Sequence, residues 1–216
     1  MSTVVFASGR GSNVAALLAA QKAGTLPIRI RAVLSDKSKA GALDIARDTG
    51  IAAVSLAPRE FADRRAFDQA LFDRAAAFSP ELIVLAGYMR IIDGNVVAPW
   101  HGRIINIHPS LLPRYPGLHT HRRALESGDR VHGASVHFVT AQLDGGPVIA
   151  RVELPVLADD TPDSLAARLL PLEHRLLIAS VDLIVRRRVA LEASGVVVDG
   201  RLLTAPLQLR ADDTLV

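Results

Sequence analysis

Residues 3–34 read TVVFASGRGSNVAALLAAQKAGTLPIRIRAVL. The stretch opens on an apolar, β-branched run from Thr3 to Ala7, which reads as a buried strand. A Gly/Ser turn follows, then an Ala- and Leu-rich helix from about Asn13 to Lys22, then a second strand from Arg29 to Leu34. A strand, a crossover helix and a second strand make two parallel neighbours, so this stretch points to a parallel α/β sheet.

The same rhythm continues outward. A helix from Ala40 to Thr49 ends at Gly50, and Ala52 to Leu56 is a third strand. A long helix covers roughly Phe61 to Phe78, Leu82 to Leu85 is a wholly apolar strand, a short helix spans about Ile91 to Ala98, and Arg103 to Ile107 is a fifth strand. Pro109, Pro113, Pro116 and Gly117 then mark a shaped loop. Gly133 to Thr140 and Pro147 to Pro155 read as antiparallel strands joined by the turn Leu143-Asp144-Gly145-Gly146. Pro162 to Arg188 reads as a helix with Thr161 as N-cap and Pro162 at N1. A hairpin around Asp199-Gly200 closes the chain, and the last six or so residues are expected to fray. The expected fold class is α/β, a doubly wound, mostly parallel sheet with an antiparallel C-terminal extension, in one domain over residues 1–216.

Composition narrows the function classes. The 216 residues are 50% apolar, which supports a sizeable core. The net charge is only +3, from 25 basic and 22 acidic side chains, and the longest basic run is Arg186-Arg187-Arg188 near a helix end. Cations there suit the helix dipole, so no nucleic-acid partner is expected. There is no cysteine, hence no disulfide and no thiolate nucleophile or ligand. No apolar run approaches the ~20 residues of a membrane span, and the N-terminus lacks a basic leader, so the expected location is cytoplasmic with no membrane partner.

Ser8-Gly9-Arg10-Gly11-Ser12-Asn13 lies between a strand and a helix, where glycines admit close backbone approach and the helix start offers free N–H groups to a phosphate. No Gly-Lys-Ser/Thr follows, which excludes a Walker loop, and Val14 stands where a dinucleotide fingerprint needs a small residue. Asn106-Ile107-His108 ends the fifth strand with two polar side chains on one side. An amide beside an imidazole can stabilise an oxyanion in acyl transfer. Asp144, on its Gly-flanked turn, can pair with His108, hold its tautomer and raise its pKa. The pattern alone leaves open a purely structural Asn and His with Asp144 serving the turn. His119 with His121, and His132 with His137, lack neighbouring acidic residues in ligand spacing, so no metal is expected.

Residues 106–121, NIHPSLLPRYPGLHTH, resemble the signature of the folate-dependent formyltransferases, and residues 135–147, SVHFVTAQLDGGP, resemble their second motif. SGRGSN and the LAGYMRII run from Leu85 to Ile92 are similar to segments of the glycinamide ribonucleotide branch of that family. The resemblance runs from Thr3 to about His174. It implies a Rossmann-like formyltransferase fold, with residues 1–107 as the nucleotide- and phosphate-binding half and 108–216 as the folate-binding and catalytic half. It further implies a role in purine biosynthesis, 10-formyltetrahydrofolate as co-substrate and a phosphorylated ribosyl glycinamide as acceptor, in a monomer or homodimer. Carried over by motif, Asn106, His108 and Asp144 are catalytic, Gly11, Ser12, Asn13 and Glu173 bind the acceptor, and Met89, Arg90, Ile91, Ile92, Val139, Thr140, Ala141, Gln142 and Leu143 line the folate site. Arg64, with Arg65 as the adjacent alternative, matches a basic folate position. The mechanism implied is direct attack of the amine with no covalent enzyme intermediate. Two other branches, methionyl-tRNA formyltransferase and formyltetrahydrofolate hydrolase, are expected to carry a further domain. A silent phosphosugar-binding module would have no use for the Asn106, His108 and Asp144 combination.

Overall fold

The computed structural model describes every residue except Arg188. Two compact units divide it, residues 1–106 and 107–216. In the first unit, the strands β1 (Ser2–Phe6), β2 (Arg29–Ser35), β3 (Ala52–Ser55) and β4 (Leu82–Leu85) alternate with the helices α1 (Ser12–Lys22), α2 (Gly41–Asp48) and α3 (Arg64–Ala76). A one-turn helix α4 (Gly94–Val97) leads to β5 (Ile104–His108), within which the division falls. The strands are all parallel, in the order β5-β4-β1-β2-β3. The order reverses between β1 and β4, the topological switch point at which open α/β sheets bind ligands.

Val4, Val5, Phe6, Val33, Leu34, Ile83 and Val84 are all fully buried, so the central strands are apolar on both faces, as parallel strands are. Phe6 meets Phe72 edge-to-face at 5.2 Å and Tyr88 at 5.6 Å. Each such side chain contributes roughly 1.5–3 kcal/mol by burial.

In the second unit, β6 (Val131–Phe138) and β7 (Val148–Pro155) pair antiparallel, with a register shift between Val136 and His137. The short strand β11 (Leu207–Gln208) pairs parallel with β7. The long helix α6 (Pro162–Arg186) packs on β6, β7 and α5 (Thr120–Glu126). β8 (Val189–Glu192), β9 (Gly195–Val198) and β10 (Arg201–Leu202) form a separate antiparallel sheet. The architecture is the expected α/β class with a mostly parallel sheet and an antiparallel C-terminal extension.

Several boundaries differ from expectation for identifiable reasons. The segment expected as a helix from Phe61 starts only at Arg64, because Asp63 caps it by accepting from the Ala66 amide at 2.8 Å. Residues Ile91 to Asp93 are loop rather than helix, since Asp93 caps α4 at the Asn95 amide. Helix α6 begins at Pro162 behind a Thr161–Ser164 capping box, and its expected last residue, Arg188, lies outside the described residues. The C-terminal residues do not fray. Gln208 and Val216 exchange backbone hydrogen bonds at 2.7 and 3.1 Å, and Arg175 of α6 holds the carbonyls of Arg210 and Ala211 together with the Asp213 carboxylate.

Candidate active site

At the switch point, the exits of β1, β2 and β4 converge on one hydroxyl. Ser8 Oγ donates to Asp36 Oδ1 at 2.6 Å and accepts from the Met89 amide at 2.9 Å, while the Ser8 amide donates to the Gly87 carbonyl. Ser8 and Asp36 are both buried, so this polar knot sits in a low-dielectric setting where its bonds are strong. The glycine loop that follows is pressed on the start of α2. Gly11 has φ +85, and a Cβ there would meet the Ala42 backbone at 2.6 Å, so only glycine fits. Helix α1 has no side-chain cap and no acidic residue in its first turn, which leaves its first amides and its dipole available to an anion. Asn13 is buried and its Oδ1 has no hydrogen-bond partner among the described residues.

The segment after β4 mixes exposed and buried groups. Met89 and Ile91 are 61% and 49% exposed, whereas Ile92 is buried. The Arg90 guanidinium lies 5.0 Å over the Phe67 ring. Asp68, fully buried on α3, accepts from the Asp93 amide at 2.8 Å and so ties this segment to the helix. Burial pushes the Asp68 carboxyl above the usual range, against the opposing pull of that amide and of Arg90 and Arg64. Arg64 is half exposed and reaches Asp93 at 3.9 Å.

Asn106 and His108 are alternate residues of β5 and leave it on one side. His108 is buried, and each ring nitrogen faces an oxygen. Nε2 lies 3.0 Å from the Tyr115 carbonyl, and Nδ1 lies 3.5 Å from Asp144 Oδ2. A carbonyl only accepts, so Nε2 carries hydrogen. The 3.5 Å approach is an ion-pair contact, longer than a good hydrogen bond. A ring protonated at both nitrogens presents a donor to each oxygen.

Asp144 sits in a left-handed conformation at φ +47, one that Asp tolerates better than most residues. Its turn is set by Gly146, where a Cβ would run into the Phe138 carbonyl. The Gly117 amide donates to Asp144 Oδ2 at 2.8 Å, and His137 Nε2 approaches Oδ1 at 3.7 Å. His137 Nδ1 donates to the Phe138 carbonyl at 2.8 Å, and burial holds its pKa down despite that bond and the Asp144 charge. The segment from Asn106 onward is braced by serines: Ser135 Oγ donates to the Ser110 carbonyl at 2.8 Å and accepts from the Leu112 amide, and Ser110 Oγ donates to the Arg114 carbonyl.

The other expected site residues fall as follows. Val139 and Thr140 are partly exposed, Ala141, Gln142 and Leu143 exposed, and all lie in the connection between β6 and β7. Glu173 is buried on α6. His121 and His132 face each other, Nδ1 to Nε2, at 3.0 Å. Burial lowers both, His132 to about 4, with the neighbouring His121 adding to the effect. Among the described residues, no three His, Asp or Glu side chains gather as metal donors. The sequence reading missed the approach of His137 to Asp144, the Tyr115 carbonyl and the buried Asp68. The motif SVHF carried no dependable signal for His137, because the register shift between Val136 and His137 interrupts the alternation of the strand.

A buried imidazole–carboxylate pair at the end of a parallel strand suits acid–base or oxyanion chemistry, and comparison with known proteins says which reaction class it serves. The chain belongs to the formyl transferase family, whose match covers residues 1–181, and it is accordingly an enzyme that transfers a one-carbon group. It is 44% identical to phosphoribosylglycinamide formyltransferase of Escherichia coli (strain K12), over 94% of this chain and 96% of that protein. The fold is similar to the solved phosphoribosylglycinamide formyltransferase of Coxiella burnetii in complex with CHES, with a TM-score of 0.90 and 40% identity over 94% of this chain and 96% of that one. Glycinamide ribonucleotide transformylase 1 from Symbiobacterium toebii gives 0.88 and 41%, over 92% and 93%. No helix among the described residues is long and apolar enough to cross a membrane.

Proposed function

We propose that this chain transfers the formyl group of 10-formyltetrahydrofolate to the amine of 5-phosphoribosylglycinamide, a step of de novo purine (IMP) biosynthesis. The observation that carries the reading is the buried His108–Asp144 pair at 3.5 Å, with Asn106 two residues earlier on the same strand. The names of similar proteins over nearly the whole chain support the substrate assignment.

The amine attacks the formyl carbon, a C–N bond forms, and the bond to N10 of the folate breaks. Asn106 and His108 donate to the oxygen as negative charge grows on it, a fixed arrangement of dipoles where charge develops. Asp144 orients His108 and relays the proton released by the amine to the departing N10, directly or through water. None of these roles needs a covalent enzyme intermediate. Gly11, Ser12 and Asn13 at the open start of α1 take the acceptor phosphate, and Glu173 takes its ribose hydroxyls. Met89, Arg90, Ile91, Ile92 and residues 139–143 serve the folate, with Arg64 or Arg65 for its acidic tail. The exposed side chains of Met89 and Ile91 suit an aromatic pterin, which apolar walls would cover. In this assignment residues 1–107 recognise the phosphate, and 108–216 supply most of the catalytic and donor machinery.

The test is formyl transfer by the purified protein, followed through the folate absorbance change. It should occur with phosphoribosylglycinamide, and not with water alone or with initiator methionyl-tRNA. Turnover without an acceptor, or only with the tRNA, would replace this reading with hydrolysis or tRNA formylation.

A further inference from the structure

The loop after His108 has a feature that the roles above leave unused. Tyr115 adopts φ +54, a left-handed conformation that a bulky residue rarely holds without support. The support is explicit. The Tyr115 hydroxyl donates to Asp129 Oδ2 at 2.7 Å, and Arg114 donates to the other oxygen of that carboxylate at 2.7 Å. The guanidinium groups of Arg114 and Arg123 lie 5.4 and 5.2 Å from the Tyr115 ring centroid. Arg123 also donates to the Pro116 carbonyl at 2.6 Å. Phenol, carboxylate and two cations therefore fix one strained peptide.

That peptide points its carbonyl at His108 Nε2, and two residues later the Gly117 amide points at Asp144 Oδ2. One short loop thus addresses both ring nitrogens of His108, the first directly and the second through the carboxylate. We infer that Tyr115 is a positioning residue for His108, with Asp129 as its anchor. The anchored phenol holds the turn whose carbonyl keeps hydrogen on Nε2 and fixes the ring plane. The inference rests on the catalytic role proposed for His108.

The experiment compares Tyr115→Phe and Asp129→Ala with the parent protein. Phe keeps the ring beside the two arginines and removes only the hydroxyl, so this variant folds even if the loss of Asp129 should not be tolerated. Two readouts are taken: kcat and KM for both substrates, and the ¹⁵N resonances of the His108 ring across pH in [¹⁵N]histidine-labelled protein, assigned by their loss in His108→Gln. The titratable groups facing this ring are Asp144 on its turn, His121 on α5, and His132 and His137 on β6. All four are retained in both variants. The expected result is a change in the His108 ring ¹⁵N resonances with kcat down roughly tenfold and both KM values near the parental ones, the signature of a misaligned catalytic group. Unmoved His108 resonances in Tyr115→Phe overturn the inference, whether kcat falls or not. The ring signals are read without turnover, so a fully active His108→Gln would defeat the functional reading while leaving the positioning claim separately tested.

Discussion

The Gly117 amide donates at 2.8 Å to the Asp144 oxygen that also faces His108 Nδ1 at 3.5 Å. A backbone donor has no rotamers to sample, so the carboxylate is held in place more firmly than a side-chain partner would hold it. Asp144 is nine-tenths buried, and its charge therefore acts on the imidazole with little screening by water.

Removing either member of that pair is expected to lower kcat by about 10²–10⁴ while substrates still bind. Steady-state kinetics of His108→Ala and Asp144→Ala give the answer. A parental kcat in Asp144→Ala would take that carboxylate out of the mechanism.

Two adjacent glycines should respond in opposite ways. A methyl at Gly146 meets the Phe138 carbonyl, which cannot step aside without moving the turn. The atoms nearest a methyl at Gly145 are those of the flexible Gln142 side chain. Gly146→Ala should lose roughly tenfold or more in kcat, since misplacing a catalytic carboxylate by about 1 Å is that costly. Gly145→Ala should keep kcat within about twofold of the parent and raise only the folate KM, because it displaces Gln142. Equal kinetics for the two variants would mean that the turn does not fix Asp144.

In the glycine loop, Gly11→Ala forces a side chain into a left-handed conformation, a cost of about 1–2 kcal/mol, and pushes on Ala42 as well. A lower Tm and a raised KM for the phosphorylated acceptor are expected together. Ser12→Ala/Asn13→Ala should raise the acceptor KM with little change in Tm. If only the folate KM moved, the phosphate assignment would be wrong.

Acid should weaken the fold partly through His132. Burial and the nearby His121 bring its pKa from 6.5 down to about 4, so the folded ring stays neutral where the unfolded one takes a proton. The unfolded state then binds the extra proton, and stability is complete above about pH 6.5 and falls as pH drops toward 4. One such proton sets a slope of at most about 1.4 kcal/mol per pH unit. Urea unfolding of His132→Asn at pH 7, 6 and 5 should show a shallower acid decline than the parent. An identical decline would show that His132 contributes nothing to it.

Much of the fold was legible because its cues are local. Leu82 to Leu85 is a bare apolar run of four residues and appears as β4 with no change of boundary. Helix α5 escaped notice because its N-cap, His119, uses a left-handed backbone at φ +59 and no side-chain bond, so no capping signal marks it. The order of the C-terminal residues depends on Arg175, which reaches Asp213 across 38 positions. No window of sequence holds that information. The same division runs through the site. His108 and Asp144 were singled out by motif, and the structure brings their side chains to 3.5 Å. The approach of His137 depends on the register shift beside Val136, and the Tyr115 carbonyl on a conformation that turn preferences argue against for a bulky residue.

The Ser8 hydroxyl carries a constraint for anyone who would redesign this enzyme. One oxygen bonds both Asp36 and the Met89 amide, so the stretch assigned to the phosphate and the stretch assigned to the pterin are joined by a single hydrogen bond. A library that varies one stretch for a new acceptor will disturb the other through Ser8. Selectivity for donor and acceptor would then drift together, unless position 8 is kept fixed or varied jointly with position 36.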